Sequence, residues 1–134
     1  MVSNEANSGV VGTLRALSAT QAAHADAGGT SAAAHAAHLR YALDLTSRTL
    51  GAESAYAGAD WAGSWRVGTL DEPGWKALVD GPERQSREAL EAVGRGVDWQ
   101  DEMLRTGCLA MVAHSVYHLG AIRQLAGAAG RAHA

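Results

Sequence analysis

Phenylalanine is absent from this 134-residue chain, proline occurs twice, and cysteine and lysine once each. The lone Cys108 excludes an internal disulfide framework and any paired-cysteine metal knuckle. Among hydrophobic neighbours it reads as a small buried residue. Two prolines, together with alanine at about a fifth of the residues, favour helices over strands. Neither a strand-like run nor a repeat of 20–50 residues is present. An excess of one charge is lacking too. The 11 Lys and Arg are scattered among 14 acids, for a net charge of −3. No basic stripe offers a footprint for nucleic acid or an anionic membrane.

Long hydrophobic runs are also missing. The longest uncharged stretch, residues 106–122, contains two histidines and is too short and too polar to span a bilayer. Residues 1–5 have neither the basic segment nor the apolar core of a signal peptide. A soluble, cytoplasmic protein is the expectation. The length suits one domain, residues 1–134, which at 47% hydrophobic buries about two-thirds of its unfolded surface without staples.

Hydrophobic spacing predicts four helices. The first covers residues 4–17, with Val10, Val11, Leu14 and Leu17 at helical intervals. After a polar stretch to Gly28-Gly29, Thr30 or Ser31 caps a second helix that Gly51 stops. Residues 51–70, rich in Gly and Ser, read as a long connection, and a loop of that length in a small domain points to function. Asp71-Glu72-Pro73 opens the third helix, because Pro and acids suit a first turn. Gly81-Pro82 is expected to break or kink it, and Gly94 and Gly96 to end it. Asp98 is the expected cap of the fourth. That helix carries Leu104, Cys108, Met111, Ser115, His118, Ile122 and Leu125 in the alternating 4–3 spacing of a bundle seam and ends near Gly127. The expected fold is all-α, an antiparallel four-helix bundle with a long connection between helices 2 and 3.

What the chain has in quantity is histidine, six residues in all. His114 and His118, at i and i+4, project from one helix face about 40° apart. His35 and His38 form a second pair, and the stripe His35, His38, Ala42, Leu45, Thr49 turns His38 inward. Clustered imidazoles facing one core allow two readings. A metal ion satisfies them together, or each ring hydrogen-bonds a carbonyl across the core. His24, in the linker, and His133, in the tail, read as solvent-exposed. Arg40 and Asp44, at i and i+4, read as a solvated helix pair.

The segments Thr30-Ser31-Ala32-Ala33-Ala34-His35-Ala36-Ala37-His38-Leu39 and Ala113-His114-Ser115-Val116-Tyr117-His118-Leu119-Gly120-Ala121-Ile122-Arg123-Gln124 resemble the DinB-like (DNA-damage-inducible, YfiT-like) metalloenzymes. The resemblance extends over nearly the whole chain, including Asp60-Trp61-Ala62-Gly63-Ser64-Trp65. It implies a four-helix bundle with a divalent ion, Zn or Ni, held by His38, His114 and His118. His35 stands where the family is often apolar, which leaves it a fourth ligand, a group behind the ligands, or a pocket wall. Three imidazoles leave the ion an open position that ionises bound water or a thiol. Characterised relatives are low-molecular-weight-thiol transferases and a mycothiol-dependent isomerase, and this chain resembles only their bundle part.

The expected function is therefore metal-dependent transfer involving a low-molecular-weight thiol cosubstrate and a small-molecule substrate. The alternatives are a metal-hydroxide hydrolase and a non-enzymatic helical binding or dimer module with core histidines. A homodimer is expected, with neither nucleic acid nor membrane as partner. Asp60 is a candidate to accept a ligand histidine's N–H, or a helix-capping acid. Arg123, about one turn beyond His118, can meet an anionic substrate, or pair with a surface acid. Trp61 and Trp65 line the pocket mouth or plug the open end of the bundle.

Overall fold

A computed structural model describes residues 9–25 and 29–132. Among them the regular elements are helices, and the all-α expectation holds. They are α1 (Gly9–Arg15), α2 (Ala19–Ala23), α3 (Ala32–Leu50), α4 (Glu72–Arg95) and α5 (Glu102–Ala132). Five helices thus stand where the spacing predicts four. The first predicted helix stops early because Ser18 starts a new one. Its Oγ accepts from the Gln21 N–H while the Gln21 side chain accepts from the Ser18 N–H, a reciprocal cap that fixes α2. Residues 4–8 of that prediction lie outside the described residues.

The other boundaries show which local signals prevail. Ser31 caps α3 by accepting from the Ala34 N–H, and Gly51 closes it. Asp71 caps α4 through the Gly74 N–H, with Pro73 in the first turn. Of the break or kink expected at Gly81-Pro82, the break does not occur, and α4 runs through both to Arg95. A proline inside a helix costs about 3 kcal/mol. Here Gly81 and Pro82 are both buried, and the bare Gly81 backbone lets the Arg40 side chain of α3 lie directly over it. Packing against α3 therefore holds the turn together. Arg40 consequently does not form the expected pair with Asp44, whose Oδ2 instead lies 3.7 Å from Arg48 Nη1.

At the start of α5 the cap is Asp101, which accepts from the Met103 and Leu104 N–H groups. The predicted cap, Asp98, only closes the preceding turn through the Gln100 N–H. The helix also continues past Gly127 to Ala132, because neither Gly127 nor Gly130 takes the positive φ of a helix-ending glycine.

The core forms where α3 packs on α4 and α5 while α1 touches both of the latter. It holds Val10, Val11 and Leu14 of α1, Leu39 and Leu43 of α3, Trp75 and Val79 of α4, and Ile122 and Leu125 of α5. Trp75 donates its Nε1–H to the Leu17 carbonyl at 2.8 Å, which ties the α1–α2 turn to α4. Among the described residues no helix is long and apolar enough to cross a membrane. The connection of residues 51–70 carries two 3₁₀ turns, Ala55–Gly58 and Gly63–Trp65, and both pack on α3.

Candidate metal centre

One pair of facing helix surfaces, extended from the core, brings three histidines together. His38 of α3 and His118 of α5 are buried and His114 half-buried, and one ring nitrogen of each lies within 4.8 Å of the others. His114 is the hub. Its Nε2 lies 2.9 Å from His118 Nε2 and 3.2 Å from His38 Nε2. Tetrahedral ligation with bonds of about 2.0–2.1 Å sets neighbouring ligand nitrogens about 3.3 Å apart, which the His114–His38 pair matches at 3.2 Å and the His114–His118 pair undercuts at 2.9 Å. These three residues can hold a metal ion.

The far side of each inner ring is occupied. His38 Nδ1 lies 2.7 Å from Ser64 Oγ, and that hydroxyl donates its own proton to the Trp61 carbonyl at 2.6 Å. Ser64 is thereby an acceptor toward His38, which places the His38 proton on Nδ1 and a lone pair on Nε2. His118 Nδ1 lies 2.8 Å from His35 Nδ1, and with its proton on that side His118 also turns a lone pair toward His114. In that arrangement a single proton, on His114 Nε2, serves two contacts. A divalent cation satisfies all three nitrogens at once. His35 therefore sits behind His118 and outside the converging set.

Burial keeps the rings neutral. It pushes His118 down to about 3, with His114, His35 and His38 adding repulsion. It pushes His38 down to about 4, helped by His114 and His35, and it lowers His114 as well. Neutral imidazole is the form a metal requires. Below the ordinary histidine value of about 6.5 the unfolded chain binds protons that the folded chain refuses. Stability present above about pH 6.5 is thus lost as pH falls toward the folded values. Calorimetry of metal-free protein is expected to show Tm falling steadily from pH 6.5 to pH 4. A flat Tm over that window contradicts buried neutral rings.

Aromatic side chains pack against the cluster. Trp65 stacks on His38, with centroids 4.1 Å apart and planes within 16°, and meets His35 edge-on at 5.1 Å. Trp61 tilts against His38 from the outer side. A cavity of about 490 Å³ opens beside His38 and His114, walled by Trp61 and Tyr56.

The remaining sequence candidates divide. Asp60 does not reach a histidine. Its Oδ1 accepts from the Gly63 N–H and its own N–H donates to Tyr41 Oη, so the carboxylate is spent closing the 3₁₀ turn that presents Ser64. Gly63 leaves room for that carboxylate, which a Cβ there would strike. Ser64 takes the role considered for Asp60, and the spacing of histidines alone does not show it. The available signal was an Asp three residues ahead of Gly63-Ser64 inside a Gly- and Trp-rich connection, the pattern of a capped turn. Arg123 is exposed and does not line the cavity. His24 is half-buried at the end of α2 rather than exposed, and His133 lies outside the described residues. Cys108 is free and half-buried, and burial raises its thiol pKa, which favours the protonated thiol.

Ser64→Ala removes the acceptor that orients His38. Metal affinity is expected to fall about 10–100-fold with Tm nearly unchanged, as measured by chelator competition beside calorimetry. No family model, no curated protein and no solved structure matches this chain.

Proposed function

We propose that this chain is a divalent-metal-dependent enzyme of the DinB-like class, using a low-molecular-weight thiol for transfer to a small-molecule substrate. His38, His114 and His118 are the ligands, with Zn or Ni as the ion. The observation that carries the reading is the convergence of three Nε2 atoms whose outer neighbours already fix two of the rings. When bound, a divalent ion on three neutral imidazoles keeps its full charge and lowers the pKa of a thiol or water at its open position toward neutrality.

The protein's own contribution is positional. Ser64 and His35 hold the Nδ1 atoms of His38 and His118, so the lone pairs of those two rings need no reorganisation, and only His114 must move its proton from Nε2. Trp65 packs against the His38 and His118 rings and restricts their rotation. Tyr56 and Trp61 bound the space in which a substrate meets the site.

A second reading, metal-dependent hydrolysis with water in place of the thiol, is favoured by one observation. Among the described residues no cationic side chain lines the cavity, so a strongly anionic thiol finds no side-chain counter-charge there. Elemental analysis of protein as purified, followed by activity screens with bacillithiol, mycothiol or glutathione and with water alone, tests both. The thiol reading expects turnover only with a thiol, and hydrolysis expects it without. Absence of any stoichiometric divalent metal contradicts both.

A further inference from the structure

The cavity beside the histidines is floored by small residues. Ala42 lies one turn beyond His38 on α3, and on α5 Gly107 and Ala110 lie two turns and one turn before His114. The space they leave, about 490 Å³, lies within the range of about 300–1,000 Å³ typical of small-molecule sites. A Cβ at Gly107 would meet nothing within 4 Å. This glycine therefore opens space and does not serve close helix packing.

The outer wall is aromatic and held in place. Tyr56 and Trp61 are each 40% exposed, with ring planes within 17° of parallel. Tyr56 Oη is bonded to Thr46 Oγ1 at 2.7 Å, and Tyr41 meets Trp61 edge-on at 5.8 Å. Both rings are thus kept facing the cavity although their own burial would favour covering them. Among the described residues no Asp, Glu, Lys or Arg lines the space, and its polar groups are the bonded Tyr56 hydroxyl, the Trp61 indole N–H and the rings of His38 and His114.

We propose that this cavity binds an uncharged, mainly apolar ring compound, its one polar or reactive group turned toward His38 and His114. A ring slides between the Ala42–Gly107 floor and the Trp61–Tyr56 wall and removes apolar surface from water on both faces. In the metal-free chain a carboxylate or phosphate entering the same space loses its hydration and meets no cationic side chain in exchange. As the substrate class of the site proposed above, such a compound depends on that reading for its chemistry once bound. Binding itself does not require the metal.

The test uses the metal-free full chain, titrated with indole and p-cresol and, separately, with the anions 4-hydroxybenzoate and reduced glutathione, followed by backbone amide NMR. Indole and p-cresol are expected to bind saturably with shifts at Ala42, Gly107 and Ala110, and the two anions at least about 10-fold more weakly. Gly107→Leu fills the floor, so indole affinity is expected to drop at least about 10-fold while metal uptake persists. Trp61→Ala, at an exposed position, removes the wall and provides the same comparison should the leucine variant not fold. The proposal is overturned by failure of indole and p-cresol to saturate, by equal or tighter binding of the anions, or by indole affinity unchanged in the folded variants. Loss of metal uptake in histidine variants bears instead on the enzymatic reading, so the two failures are separable.

Discussion

His114→Ala is expected to abolish metal binding while leaving the metal-free fold intact. His114 Nε2 is the atom within 3.2 Å of both other ligand nitrogens, so its loss leaves two donors with no third between them. Affinity should fall by more than the roughly 10–100-fold expected for a supporting residue such as Ser64. The consequence for the metal-free protein has the opposite sign. His114 is half-buried, and its repulsion contributes to the lowered values of both His38 and His118. Removing it lets those rings accept protons more readily in the folded state, so acid destabilisation should weaken. A purely structural histidine would show the reverse pattern, with lost stability and unchanged metal content. Chelator competition and calorimetry on one preparation distinguish the two.

Trp75→Ala is expected to be the most destabilising of these substitutions. The ring is 3% exposed, and its Nε1–H satisfies the Leu17 carbonyl. Truncating a buried tryptophan costs about 3–5 kcal/mol, and an orphaned carbonyl adds to it. Against a total stability of about 5–15 kcal/mol, Tm should fall by about 10–20 °C. Trp99, 46% exposed, is the control, and its replacement by Ala should change stability by no more than about 1 kcal/mol. Urea denaturation of both variants measures the difference. Equal effects would mean that the core is not anchored where α1, α2 and α4 meet.

The helices were legible in the sequence where capping chemistry and periodicity agreed. Ser31 and Asp71 start α3 and α4 as their side chains require, and Gly51 ends α3. The failures have tertiary causes. Pro82 stays helical because Gly81 accommodates Arg40 from the neighbouring helix, a contact that no local rule contains. Gly127 does not end α5 because a glycine permits a positive φ without requiring one. At the site, i and i+4 spacing places His114 and His118 on one face, and the α3 stripe turns His38 inward. The converging set is therefore the one the resemblance implied. The arrangement behind those rings was not legible. His35 and Ser64 reach His118 and His38 across 83 and 26 residues of chain, so their roles exist only once α3, α5 and the connection are packed. Asp60 shows the same limit, since its charge suggests a histidine partner and its position commits it to the turn.

In the proposed site His38, His114 and His118 bind one divalent ion through Nε2. X-ray absorption spectroscopy of protein loaded with one equivalent of zinc tests it most directly. Three imidazole nitrogens at about 2.0–2.1 Å with no sulfur neighbour are expected, as is loss of the imidazole pattern in His114→Ala. A sulfur scatterer at about 2.3 Å, which would implicate Cys108, contradicts it. So does an all-oxygen shell characteristic of surface-bound ions.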